Sequence, residues 1–187
     1  ENYRFYTEVL GLRLVKKSIN QDVPDTYHLF FADGEGHPGT DLTFFPWPDM
    51  GPGHSGAGVW GEVGFAVPDG SIDYWEARLR EAGVAIAPRE RRFGETVLPF
   101  FDPHGMALSL TESEPWPGHE FAPWDRSPVP EKQQIRALGT VRLTVRDDAA
   151  TVAFLSGAFG FAPAETDGRW TRYTTGEGGA GQRLDVS

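Results

Sequence analysis

The side chains with the most chemistry to offer are five histidines and 27 carboxylates; there is no cysteine. The lack of cysteine excludes disulfides, thiolate metal sites and a cysteine nucleophile, and it fits a reducing cytoplasm. His37 stands in the turn His37-Pro38-Gly39, His54 in a Gly/Pro loop, His104 in Asp-Pro-His-Gly and His119 in a Pro/Trp-rich stretch. None has a partner at a metal-ligand spacing such as H-x-H or H-E-x-x-H, so all four read as surface residues. His28 differs. In Thr26-Tyr27-His28-Leu29-Phe30-Phe31, strand alternation sends Tyr27, Leu29 and Phe31 to one face, toward a helix, and Thr26, His28 and Phe30 to the other. If that second face lines a cavity, His28 and Phe30 form a substrate pocket with Thr43 and Phe45 as neighbours; otherwise His28 is structural or faces solvent.

Three other patterns carry less. Gly34 to Gly39 and Gly176 to Gly181 both satisfy G-x-G-x-x-G, but each leads into a strand-like run, where pyrophosphate binding needs a helix. They read as glycine-rich hairpin turns. Gly53-His54-Ser55-Gly56 has a serine between glycines but lacks the strand-to-helix context of a nucleophile elbow. The carboxylates are scattered, and no pair presents itself as an acid/base couple.

The elements that position these residues come from a repeat. Phe5-Tyr6-Thr7-Glu8-Val9-Leu10-Gly11-Leu12 returns 149 residues later as Phe154-Leu155-Ser156-Gly157-Ala158-Phe159-Gly160-Phe161. Both read as an amphipathic helix closed by a glycine C-cap. The segment Gly34–Leu42 returns as Gly176–Leu184. In the later copy, Val141–Val145 alternates as a strand, Asp147 or Asp148 caps a helix to about Phe159, and Arg169–Tyr173 and a run opening at Arg183 follow as strands. A middle copy has Val63–Val67 as a strand and a helix capped by Ser71, carrying Ile72, Trp75 and Leu79 and ended by Gly83. Its hairpin pairs Val97–Phe101 with Met106–Leu110, and Arg89–Phe93 supplies a further strand. The fold class is therefore α+β, tandem βαβββ modules incomplete at both ends. A first domain spans 1–113, with module one at 1–47, lacking its first strand, and module two at 60–112; a Pro/Trp-rich linker spans 114–134, and a truncated module three spans 135–187. Unpaired strand edges in the outer modules invite association, which leaves a homo-oligomer open.

The net charge of −10 would repel a phosphate backbone, and the densest basic run, Arg89-Glu90-Arg91-Arg92, is short and interrupted. No apolar run approaches the roughly 18 residues of a membrane span. The first residues lack the basic start and apolar core of a signal peptide. Nucleic acid and membrane are thereby excluded as expected partners.

Repeated βαβββ modules with F-Y-x-x-x-L-G-L resemble the vicinal oxygen chelate superfamily of glyoxalase I, bleomycin-resistance proteins and extradiol dioxygenases. Tyr27–Asp33, Pro38–Trp47, Asp73–Leu79 and Asp102-Pro103-His104-Gly105 are similar to the four-module bacterial ring-cleaving dioxygenases that act on hydroquinones. That resemblance implies a small aromatic substrate and O2 as partners, and Fe(II), or Mn(II), held by two histidines and a carboxylate. It also implies that these ligands lie before Glu1 and after Ser187, so that no metal is expected on these 187 residues alone. In module two the superfamily's carboxylate position falls on Ser109, and Gly139 and Thr140 occupy the place before Val141 where a histidine is often found. Two alternatives reuse the same modules: a glyoxalase-like lyase or isomerase, and a metal-free small-molecule-binding protein like the bleomycin-resistance proteins.

Overall fold

The structure, a computed structural model, describes every residue from Glu1 to Ser187 except Pro48, Pro52 and Ser55. The elbow-like Ser55, and the two prolines of the Gly/Pro loop between modules one and two, thus lie outside the described residues. In module one a short helix, α1 (Asn2–Arg4), runs on as a π-helical turn over Phe5–Val9 and ends at Gly11, whose φ is +73°. Three antiparallel strands follow in the order β1 (Arg13–Ile19), β2 (Tyr27–Ala32) and β3 (Leu42–Phe44).

Modules two and three share one eight-stranded sheet. Module two is β4 (Val59–Val67), α2 (Ile72–Glu81), β5 (Glu90–Arg92), β6 (Glu95–Phe101) and β7 (Ala107–Glu112). Module three is β8 (Ala137–Thr144), α3 (Asp148–Phe159), β9 (Ala162–Asp167), β10 (Trp170–Thr174) and β11 (Arg183–Val186). The order β5-β6-β7-β4-β8-β11-β10-β9 repeats one plan twice. In each module the first strand pairs in parallel with the last, β4 with β7 and β8 with β11. The two first strands then join antiparallel, with Val63 opposite Val141.

Several expectations change in detail. Strand β9 has no counterpart in the sequence reading because every one of its residues is exposed, so no apolar period announces it. With it, module three has all four strands of the unit. Asp147 caps α3 by accepting the Ala150 N–H at 3.3 Å. Ser71 does not cap α2 with its hydroxyl; Glu112 on β7 accepts the Ile72 N–H instead, at 3.0 Å. The two copies of the helical motif also differ: Phe5, Leu10 and Leu12 are buried, whereas Phe154 and Phe159 are exposed. The first helix is sealed in a core common to modules one and two, built on Tyr6, Phe31, Phe65, Trp75 and Phe100. Helix α3 reaches its smaller cluster through Leu155 and Val152 alone among its residues.

The 114–134 segment packs into this core through Val129. Trp116 lies against both glycine-rich turns: a β-carbon at Gly39, Gly179 or Gly181 would run into it. Asp33 fixes the first of those turns. Its carboxylate accepts the backbone N–H of Glu35 (3.1 Å), Gly36 (2.6 Å) and His37 (3.1 Å), the N–H of Ala122 (2.8 Å) and the His37 ring at Nδ1 (2.8 Å). Thr40 completes the loop by accepting the Asp33 N–H at 3.3 Å. Both glycine motifs are therefore turns leading into strands, as their context required.

Burial would raise the Asp33 carboxyl, but the donors from Ala122, His37 and Gly36 outweigh it and hold the group below its ordinary 3.8. His37 is held above its ordinary 6.5, chiefly by its hydrogen bond to Asp33. The depressed carboxylate contributes stability that is lost as pH falls below 3.8; the raised imidazole contributes stability that is lost as pH rises through its folded value above 6.5. Asp33→Ala should destabilise the chain by about 3 kcal/mol in urea unfolding, because four backbone donors lose their shared acceptor at once. For Asp33→Asn, the deficit against wild type should be largest between those two pH values and shrink on either side. A deficit flat from pH 3 to pH 9 would show that charge plays no part.

Candidate functional site

Strand alternation sets the face that carries the candidate residues. On β2, Leu29 and Phe31 face the core, where Phe31 lies 5.3 Å from Tyr6 between ring centroids and Phe44 of β3 lies 4.6 Å from Tyr6. His28 and Phe30 project to the opposite face, with Thr43 paired across from Phe30 and Ser18 across from His28. Phe45 follows directly after β3 and stacks on His28 at 4.0 Å and 28°, while Phe30 meets the other partner position at 3.8 Å and 36°. The structure thus brings His28, Phe30, Thr43 and Phe45 together on one face. Tyr27 departs from the expected pattern: at the strand's start it is exposed and lies under the Lys17 ammonium at 3.6 Å instead of on the helix.

This face is aromatic with few charges. Lys16 approaches the Phe30 ring at 5.3 Å, and Trp47 stacks on Phe45 at 6.1 Å. Burial raises the Asp41 carboxyl, partly countered by His28. The Nε2 of His28 is buried and has no hydrogen-bond partner among the described residues. A cleft of about 780 Å³ lies on the other face of β2 and β3, lined by Tyr27, Leu29 and Phe44 with Asn2, His104 and Met106; of the four candidate residues Phe45 alone borders it. Asp102 in its wall accepts the hydroxyl of the buried Tyr6 at 3.2 Å; burial, and the Asp102 charge, keep that phenol protonated far above its ordinary range. The cleft therefore offers apolar walls and hydrogen-bonding groups suited to a small flat molecule.

The remaining histidines divide. His54 and His104 are exposed. His37 and His119 are more than surface decoration: the first is the Asp33 partner, and the second hydrogen-bonds the Arg136 carbonyl through Nε2 at 2.9 Å. Sequence alone missed both because their partners, a buried aspartate and a backbone oxygen, advertise no spacing.

The corresponding face of the eight-stranded sheet is closed by charge. Arg172 donates to both oxygens of Asp185, at 2.8 and 3.3 Å, and to Glu95 at 2.7 Å. Arg183 meets the other Glu95 oxygen at 2.6 Å, and Arg92 takes Glu62 at 2.5 and 3.2 Å. The Phe93 ring caps Arg172 at 4.1 Å, and Arg142 lies over Trp170 at 3.7 Å. Glu95 sits on β6 and Arg172 on β10, so these pairs tie the module-two end of the curled sheet to the module-three end. Pairing across the two modules places Asp185, beside Arg142, in the position that Ser109 holds beside Gly64. That carboxylate is engaged by the Arg172 guanidinium, with Arg142 at 4.0 Å. The clue in the sequence was the alternation of Trp170, Arg172 and Thr174, which marks a polar inner face but names no partners.

Among the described residues, no group of three or more His, Cys, Asp or Glu side chains is disposed to hold a metal ion. Among them too, no helix is long and apolar enough to cross a membrane.

Comparison with known proteins places these observations in context. Residues 1–110 match the family model of the Glyoxalase/Bleomycin resistance protein/Dioxygenase superfamily. The chain is 39% identical over 192 residues to "Putative ring-cleaving dioxygenase MhqA" of Bacillus subtilis, covering all of the chain and 60% of that protein. It is 33% identical over 182 residues to the chlorohydroquinone/hydroquinone 1,2-dioxygenase of Sphingobium indicum, covering 96% of the chain and 56% of the relative. A crystal structure described as a "putative dioxygenase" from Bacillus subtilis superposes over the whole chain with a TM-score of 0.86 at 34% identity, and 58% of that protein is covered. The chain thus spans a little over half the length of the relatives it matches.

The charge network yields a direct expectation. Arg172→Ala leaves the buried Asp185 without its two-pronged partner and Glu95 with Arg183 alone, so unfolding should be easier by roughly 3–5 kcal/mol. Arg172→Met combined with Asp185→Leu should recover most of that loss, because removing both charges removes the desolvation cost. If the double variant unfolds as readily as Arg172→Ala, the charged hydrogen bonds, and not packing of the arginine stem, hold the two modules together.

Proposed function

Because the chain belongs to the Glyoxalase/Bleomycin resistance protein/Dioxygenase superfamily, we propose that its modules serve a metal-dependent dioxygenase that opens a hydroquinone- or catechol-type ring with O2. The observation that carries this reading is the 33% identity, across 96% of the chain, to a protein named for hydroquinone cleavage. The aromatic face of His28, Phe30, Thr43 and Phe45 supports it, because a flat phenolic ring finds stacking partners and hydrogen-bonding groups there.

Opening an aromatic ring with O2 calls for a metal that binds both reactants. The described residues do not form a ligand set for one. The proposal therefore places the Fe(II) or Mn(II) ligands in the part of the relatives that this chain does not span, and gives these residues the tasks of binding and orientation. Phe30 and Phe45, with the His28 ring between them, offer an aromatic surface for the substrate ring, Thr43 offers a hydroxyl beside Phe30, and the Asp33-fixed turn holds β2 and β3 in register. An aromatic floor also excludes water from a reacting ring.

The test compares two preparations. The 187-residue chain alone, offered Fe(II) and hydroquinone, should bind no metal at one ion per chain and take up no oxygen. The same residues joined in one polypeptide to the unmatched portion of the Sphingobium relative should take up one O2 per ring opened. Uptake by the shorter chain would put the metal site inside these residues. Stoichiometric hydroquinone binding without uptake by either preparation would favour a binding protein over an enzyme.

A further inference from the structure

We infer that the face of α3 bearing Phe154 and Phe159 is the seat of a further βαβββ module, which sits on module three as module two sits on module one. The inference concerns assembly and stands apart from the ring-opening reading.

The internal repeat sets two helices side by side. Phe154–Phe161 aligns residue by residue with Phe5–Leu12. Toward its own sheet each helix behaves alike: Tyr6 packs on Phe31 and Phe44, and its counterpart Leu155 is buried with Tyr173 and Leu184. The positions turned away from that sheet differ. Phe5 is 5% exposed and Leu10 1%, whereas their counterparts Phe154 and Phe159 are 63% and 58% exposed.

In module one the cover comes from module two. Phe100 on β6 lies 6.5 Å from Phe5 between ring centroids. Arg78 on α2 donates to the carbonyls of Glu8 at 2.7 Å and Val9 at 2.8 Å, closing the end of the first helix. The counterparts of Glu8 and Val9 are Gly157 and Ala158, and a β-carbon at Gly157 would meet nothing within 4 Å. Phe154 and Phe159 pack edge to face at 5.6 Å, so they form one patch. Apolar residues scattered singly over a surface need no partner, but a joined patch marks a contact. Stacked repeat units cover such faces with the next unit.

The same equivalence describes the occupant. It carries an aromatic strand residue to lie against Phe154 and a helix arginine to donate to the carbonyls of Gly157 and Ala158. Module two of a second copy cannot supply them, because that copy's own first helix already fills the place. The relatives have room for another module, since this chain spans only a little over half of their length.

The test exploits the lack of cysteine in the chain. Phe154→Cys is made in the 187-residue chain and in the same residues joined to the unmatched portion of the Sphingobium relative, and reaction with a thiol reagent is located by peptide mass mapping. The introduced thiol should react about tenfold more slowly in the joined polypeptide, because an interface restricts access. Ala82→Cys, at the exposed end of α2, should react equally in both. Phe154→Ser combined with Phe159→Ser should leave the urea midpoint of the 187-residue chain unchanged and lower that of the joined polypeptide. Equal reactivity of the thiol from Phe154→Cys in the two preparations overturns the inference. A lowered midpoint in the 187-residue chain also overturns it, since the two rings would then belong to that chain's own core. Protection of the thiol in the 187-residue chain that grows with protein concentration overturns it in favour of a second copy as the occupant.

Discussion

The carboxylate of Asp33 is the constraint on which the arrangement of modules depends. It lies at the end of β2, fully enclosed, and gathers donors from its own turn and from Ala122. An isolated carboxylate in such a place would be far too costly, so the surrounding donors are a condition of folding rather than an embellishment. Because the turn is fixed, Gly39 presents its carbonyl to the Leu138 N–H at 2.7 Å and its bare α-carbon to Trp116. The segment between modules two and three is thereby drawn onto module one, and the first strand of module three is held beside it. Arg13 adds a donor to the Gly34 carbonyl from β1.

From this constraint follows a division of labour between two sheets built on one plan. The inner face of the eight-stranded sheet is occupied by three arginines and their carboxylates, and Arg172 and Arg183 of module three both bond to Glu95 of module two. Charges so placed are stable only with their partners present, which makes this face a joint between modules rather than a receptacle. The three-stranded sheet of module one is different. Its equivalent face carries aromatic rings and one unsatisfied imidazole nitrogen, and ion pairs do not fill it. Strand number and pairing are repeated, yet the chemistry placed on them is not, which is how a family of modules supports unrelated reactions.

The parts of this fold that were legible in the sequence are those written in local periods. Alternation located β2 and assigned His28 and Phe30 to one face, and the spacing of Ile72, Trp75 and Leu79 located α2 and its buried side. Internal similarity identified the module before any strand was placed. What stayed hidden was either featureless or distant. Strand β9 has no buried residue to produce a period, and it exists because β10 offers it a ladder. The cap on α2 comes from Glu112, 40 residues away, and the partners of Arg172 lie 13 and 77 residues off. The role of Asp33 was hidden for the same reason, since Ala122 is 89 residues away. The candidate site was half visible: its face could be assigned, but the stacking of Phe45 on His28 depends on a turn whose geometry is set by those distant bonds.

That dependence bears on why the unsatisfied nitrogen sits where it does. A histidine at a loop tip would meet water and gain nothing from a ligand. Within β2, His28 has its backbone fixed by pairing to β1 on one side and followed closely by β3 on the other. Its ring is confined between Phe30 and Phe45, so the orientation of Nε2 is set before any ligand arrives. A hydrogen bond made by a preorganised acceptor in an apolar setting discriminates more sharply than one made in water, because the competing state leaves the nitrogen unpaired. The aromatic neighbours belong to the same arrangement: Phe30 and Phe45 cover the nitrogen from both sides and keep water from it.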